Sequence, residues 1–124
     1  MRIIAVANQK GGCGKTTTAI NLSSSLASKG QKILLIDCDP QAHATMGLNV
    51  KPSDLESSMY NVTTPKENER LPLTDVMVPI KNNFDLVPSS IILSAVEQEL
   101  SGLNGQRSNN RFGGIEKARG KKCP

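Results

Sequence analysis

The run Lys10-Gly11-Gly12-Cys13-Gly14-Lys15-Thr16-Thr17 constrains this chain more than any other feature. Glycines, lysines and hydroxyls crowded together suit an anion better than they suit a core. Its flanks fix where it sits. Arg2 to Ala7 is a short apolar run with β-branched residues, predicted as a central parallel strand. From Lys15 to Lys29 the apolar residues Ala19, Leu22 and Leu26 recur at helical spacing, with Ile20 and Ala27 beside them and Gly30 at the C′ position. Lys32 to Asp37 is a second apolar run of strand length. Strand, loop, helix and strand in that order predict a right-handed parallel crossover with the glycine loop at its first turn.

A loop in that place can cradle phosphate. Glycines let successive backbone N–H groups turn towards one anion, and the helix N-terminus adds the positive end of its dipole. Lys15 supplies full charge for the β and γ phosphates, and Thr16, directly after it, offers a hydroxyl to Mg²⁺. The plainer use of such a loop is a tight turn. The two lysines and two threonines favour phosphate binding through Lys10, Gly11, Gly12, Cys13, Gly14, Lys15, Thr16 and Thr17, with Mg²⁺ beside the phosphates; the resemblance described below makes the expected ligand ATP.

Asp37-Cys38-Asp39-Pro40-Gln41 closes the second strand, at the edge where parallel sheets bind ligands. Residues two apart in an extended chain face the same way, so Asp37 and Asp39 both suit a metal-phosphate site, one at metal-bound water and one at attacking water. Alternatively they only end a strand and start a turn at Pro40. Beside a phosphate loop, paired negative charge without a metal would be costly, which favours the functional reading.

The usual Walker pattern asks for Gly where Gln9 stands, and Lys10 offers a second cation at the loop entrance. Lys-Gly-Gly-x-Gly-Lys-Thr resembles the deviant Walker A ATPases. Asn8-Gln9 before the loop, and Leu34-Leu35-Ile36-Asp37-Cys38-Asp39-Pro40-Gln41 after it, resemble the ParA and Soj branch, which partitions chromosomes and plasmids, rather than the MinD branch. The resemblance implies an α/β fold, a P-loop NTPase-like parallel sheet with flanking helices. It also implies that Lys10 reaches the partner subunit's nucleotide across an ATP-dependent homodimer. Asp39 would activate the hydrolytic water and Asp37 would support the metal shell beside Thr16, leaving Lys10, Lys15 and Asp39 as catalytic residues. Non-specific DNA and a stimulating partition protein are the further partners implied. The branch commonly continues Gly-Asn-Ala-Thr after Gln41, where this chain has Ala42-His43-Ala44-Thr45. His43 is left out of the site, as a lone loop histidine more often faces solvent or caps a helix. The nitrogenase iron proteins share the loop, but their cluster cysteines are not seen here.

Composition bounds the rest. The chain has 124 residues, 37% apolar, with no Trp, one Tyr and two Phe, so an aliphatic core is expected. Its formal charge of +4 is uneven: residues 104–124 carry +5, and everything before them −1. Three cysteines without metal-ligand spacing fit a reduced, cytoplasmic setting, and no apolar run is long enough to span a bilayer. After Asp39 a short helix near Leu55–Tyr60, a polar surface loop through Thr63–Glu69, a strand at Phe84–Val87 and a helix over Ser90–Leu103 are expected.

Residues 1–107 read as the N-terminal part of a ParA-like nucleotide-binding domain and 108–124 as a basic, disordered tail. The resemblance calls next for a strand ending in Asp and then Cys-Pro-Pro, whereas Ser108 to Pro124 stands here, so a truncated or frame-shifted member is expected. An ATP-driven switch is the leading reading. The alternative is a non-catalytic truncated fragment that binds nucleotide weakly or not at all. A third reading takes the tail as a sequence-blind nucleic-acid arm.

Overall fold

The computed structural model describes residues 2–101. Three short strands form one mixed sheet: β1 (Ile33–Ile36), β2 (Val78–Lys81) and β3 (Phe84–Val87), in the order β1-β3-β2. β1 and β3 run parallel, with Ile33 opposite Phe84 and Ile36 opposite Val87. β2 is antiparallel to β3 and joined to it through Asn82-Asn83, where Asn83 takes a left-handed φ of 61° that asparagine tolerates. β2 was not anticipated from the sequence, because Pro79 argues against a strand. Its edge position explains the tolerance: the missing N–H can face away from the ladder.

Helix α1 (Lys15–Ser28) packs on β1 and β3. It ends in a Schellman motif: the Gly30 N–H donates to Ala27 O at 2.9 Å and the Gln31 N–H to Leu26 O at 3.1 Å. Gly30 sits at φ 82°, and a side chain added there would meet open space. Gly30→Ala is therefore expected to lower stability by about 1 kcal/mol through backbone strain alone. Urea titration of the two chains measures this, and equal midpoints would contradict it. The buried stripe of α1 contains Ser23 and Ala27, while Leu22, expected inward, is 39% exposed. Apolar residues flank the stripe on both sides, so spacing alone does not choose the inner face.

Among the described residues three shorter helices follow, α2 (His43–Gly47), α3 (Met59–Thr63) and α4 (Leu73–Val76), then helical residues 94–101 (α5), with 3₁₀ turns at Pro52–Asp54 and Ile91–Leu93. The helix expected near Leu55–Tyr60 begins later, at Met59, because Ser58 caps it: Ser58 and Asn61 form a capping box. The core is centred on β3, where Phe84, Leu86 and Val87 are fully buried, with Val76, Ala27, Ala44, Tyr60 and Val96 completing it. Of the apolar positions expected to face inward on the last helix, Val96 does so, while Ile92 and Leu100 face outward.

The largest departure from expectation is at Arg2–Ala7, which forms no strand and is exposed, Ile3 to 84%. A strand exists only through a partner. The partner of β1 is β3, and no other strand among the described residues lies beside β1. The predicted crossover is thus realised as a loop and helix leading into β1.

The polar loop after α3 is tied down. Lys66 Nζ lies 2.8 Å from Glu99 Oε1 of α5 and 3.5 Å from Glu69 Oε1, and donates to the Tyr60 hydroxyl at 3.2 Å. Tyr60 in turn donates to Glu69 Oε2 at 2.8 Å. The Lys66 bond holds the Glu99 carboxyl below its usual range, and Glu99, then Tyr60, hold Lys66 above the usual lysine range. A lowered carboxyl stabilises the fold above its ordinary pKa and loses that contribution as pH falls through the lowered value. A raised ammonium contributes below the ordinary lysine pKa and loses it as pH rises through the raised one. Urea stability should therefore differ between the parent chain and Glu99→Gln by a constant amount near neutrality, and the difference should vanish in acid. A difference that persists unchanged in acid would sink this assignment.

Candidate phosphate site

Asn8 opens the loop: its Oδ1 accepts the Lys10 N–H at 2.9 Å. The chain then turns through Gly12 and Gly14, at φ 68° and 82°. Gly14 is the N-cap of α1 and has no side-chain oxygen to offer the helix, so α1 begins without a side-chain cap. The first helical bond runs from the Thr18 N–H to Gly14 O, at 2.9 Å. Among the described residues nothing accepts from the earlier N–H groups of that turn, which suit an outside acceptor.

Lys15 folds back over the loop. Its Nζ donates to Lys10 O at 3.2 Å and lies 3.8 Å from Cys13 Sγ. An added Cβ at Gly11, Gly12 or Gly14 would meet no atom within 4 Å, so among the described residues nothing crowds these three glycines. An ammonium, unpaired amide donors and a helix N-terminus on one open loop are complementary to a phosphate chain. The Thr16 and Thr17 hydroxyls make no hydrogen bond to another described residue. Among the described residues no three His, Cys, Asp or Glu side chains gather to cage a metal. That donor set fits Mg²⁺, which takes few protein oxygens and completes its shell with phosphate and water.

The two aspartates occupy different surroundings. Asp37 follows β1, its N–H donating to Val87 O at 3.0 Å, and is 5% exposed. Its Oδ2 accepts the Thr45 N–H at 2.9 Å and the Thr45 hydroxyl at 2.7 Å, and its Oδ1 accepts the Asp39 N–H at 3.1 Å. Asp39 has a side chain 47% exposed; its Oδ1 accepts the Gln41 N–H at 2.9 Å and its Oδ2 stands 3.5 Å from His43 Nδ1. Burial, and then the Asp37 charge, push the Cys38 thiol up, so it stays protonated near neutrality and is a poor ligand. Lys10, Cys13 and Lys15 are thus gathered in one group and Asp37 and Asp39 in another. Among the described residues no hydrogen bond or ion pair joins the groups, and α1 packed on β1 connects them.

A family profile described as an AAA domain matches residues 1–117. The chain belongs to this AAA-domain family. It is 42% identical over 103 residues to the sporulation initiation inhibitor protein Soj of Bacillus subtilis, covering 80% of this chain and 38% of Soj. To the chromosome partitioning protein ParA of Caulobacter vibrioides it is 41% identical over 109 residues, covering 87% of this chain and 39% of ParA. Its fold is similar to a crystal structure of cobyrinic acid a,c-diamide synthase from Mycobacterium smegmatis with bound ADP and magnesium. That match has a TM-score of 0.64 at 29% identity and covers 81% of this chain and 45% of the other. The chain therefore spans about two fifths of the length of Soj and ParA and less than half of the synthase.

Within this AAA-domain chain, the departure at Ala42-His43 has a structural counterpart. Ala42 is 2% exposed and sits at φ 55°, a left-handed position that costs a residue with a Cβ about 1–2 kcal/mol. The commoner glycine would sit there without strain. Thr45 lies outside the residues that the sequence marks for the site. Its signal was present only as the end of the Ala44-Thr45 pair, and its role depends on a fold that brings Asp37 and Ser89 to it.

Proposed function

We propose that the chain binds Mg²⁺–ATP at the Lys10–Thr17 loop as the nucleotide end of a ParA/Soj-type partition ATPase. The observation that carries this reading is the Lys15 ammonium drawn across an open glycine loop at the start of α1. Lys15 and the loop amides hold the β and γ phosphates. Thr16 and Asp37 are the residues to hold Mg²⁺, which supplies charge neutralisation between the phosphates when bound. Asp39, the more exposed carboxylate, orients the attacking water. Lys10 turns to the nucleotide of a second subunit in an ATP-dependent homodimer, where an added cation offsets charge on the transferring group.

Family membership and the names of Soj and ParA support the larger setting. In it, an ATP-driven switch in chromosome or plasmid partitioning works in the cytoplasm on non-specific DNA, and a partner protein resets it. Residues 1–107 would be the N-terminal part of that domain. No helix among the described residues is long and apolar enough to cross a membrane.

The exposed run Arg2–Ala7, from which the loop hangs, favours a second reading in which the chain holds nucleotide without turning it over. Equilibrium binding of labelled ATP to the purified chain, with and without Mg²⁺, tests the site, and phosphate release separates the two readings. A folded chain that binds no ATP would exclude both.

A further inference from the structure

The carboxylate turn is fixed by a residue outside the phosphate loop. Thr45, fully buried in α2, stands between Asp37 and the segment leaving β3. Its hydroxyl has one proton. Asp37, as a carboxylate, can only accept, so that proton goes to Asp37 Oδ2 at 2.7 Å, and the lone pairs of Thr45 Oγ1 receive the Ser89 N–H at 2.9 Å. A carboxylate offers about four acceptor positions, and here three are taken by Thr45 N–H, Thr45 O–H and Asp39 N–H. Three bonds thus fix Asp37, the one to the Asp39 N–H holds the backbone that carries Asp39, and about one acceptor position is left for the metal shell.

We propose that Thr45 is a positioning residue of the nucleotide site, tying the Pro88–Ser90 segment to Asp37 and, through the Asp39 amide, holding the Asp39 turn in one conformation. This rests on the functional reading above for the identity of the site, and on hydrogen bonds alone for the coupling. Pro88, Ser89 and Ser90 are all buried and lead straight into the Ile91–Leu93 turn and α5. A displacement of that segment is therefore felt at the catalytic carboxylate without any change in the glycine loop.

The test has two readouts on the full chain. Amide hydrogen exchange without nucleotide is followed by NMR in the parent chain, Thr45→Val and Thr45→Ser. Loss of the hydroxyl is expected to speed exchange at Asp39 and Ser89 about tenfold, with serine restoring both. The Gln31 amide, in the turn after α1, should not move. Binding of a fluorescent ATP analogue is then measured with and without Mg²⁺. Thr45→Val should reduce the Mg²⁺-dependent gain in affinity about tenfold while the Mg²⁺-free affinity stays within about twofold, and Thr45→Ser should recover the gain.

An Asp39 amide indifferent to Thr45→Val, or Gln31 loosened equally, would overturn the coupling. Equal loss of affinity with and without Mg²⁺ would reduce Thr45 to a general fold residue and overturn the proposal. A parent chain that binds no analogue at all would overturn the functional reading instead, and the exchange data distinguish that failure from the other.

Discussion

Lys15→Ala is expected to lower affinity for Mg²⁺–ATP by about a hundredfold or more, with the circular dichroism spectrum unchanged. The magnitude follows from removing a charged donor to phosphate, about 3 kcal/mol where no other cation substitutes. The unchanged spectrum follows from the surroundings of Nζ, whose hydrogen-bond partners are the exposed Lys10 carbonyl and Cys13 sulfur, neither part of the core. Lys15→Arg should recover little, because a planar guanidinium does not reproduce a compact ammonium inside a tight loop. Isothermal titration of the three chains measures this. Binding that survives Lys15→Ala would place the nucleotide elsewhere and remove the basis of the site.

The second large effect concerns stability. Phe84→Ala removes a fully buried ring from the central strand of a three-stranded sheet, and such truncations cost about 3–5 kcal/mol. Small domains have only about 5–15 kcal/mol in total. A chain this size, with few buried large side chains, stands near the lower end. Phe84→Ala should therefore lose its cooperative thermal transition, while Phe84→Leu, which keeps most of the volume, should retain one at lower temperature. A cooperative unfolding transition in Phe84→Ala near that of the parent would show that the core is not centred on β3.

What the sequence disclosed followed from local chemistry. The glycine loop, the helix after it, the Gly30 stop and the strand before Asp37 each carry their own signal within a few residues, and the structure places them as read. β3 was legible for the same reason. What escaped was decided at a distance. Arg2–Ala7 has the composition of a strand, yet pairing is a property of two segments. β2 was hidden by Pro79, which is tolerated only because the strand falls at an edge. The inner face of α1 depended on which of two apolar flanks met β1.

The site shows the same division. Lys10, Lys15 and Thr16 are legible as candidates because the loop proposed to hold phosphate is one continuous segment. Asp37 and Asp39 were legible as a pair, but not their unequal surroundings, which are set by Thr45 and by a segment more than forty residues further on. No spacing rule connects Thr45 to Ser89; only the parallel pairing of β1 with β3 brings their neighbourhoods together.

The two borders of the sheet differ in how they meet another molecule. β2 presents Pro79 and Lys81, one unable to donate and the other charged, and both discourage further strands from adding. β1 presents Ile33-Leu34-Leu35-Ile36 with no charge inside it, and Leu34 and Ile36 reach solvent. Self-association in concentrated solution should therefore begin at β1, and the colloidal behaviour of this chain is governed by whatever covers that border.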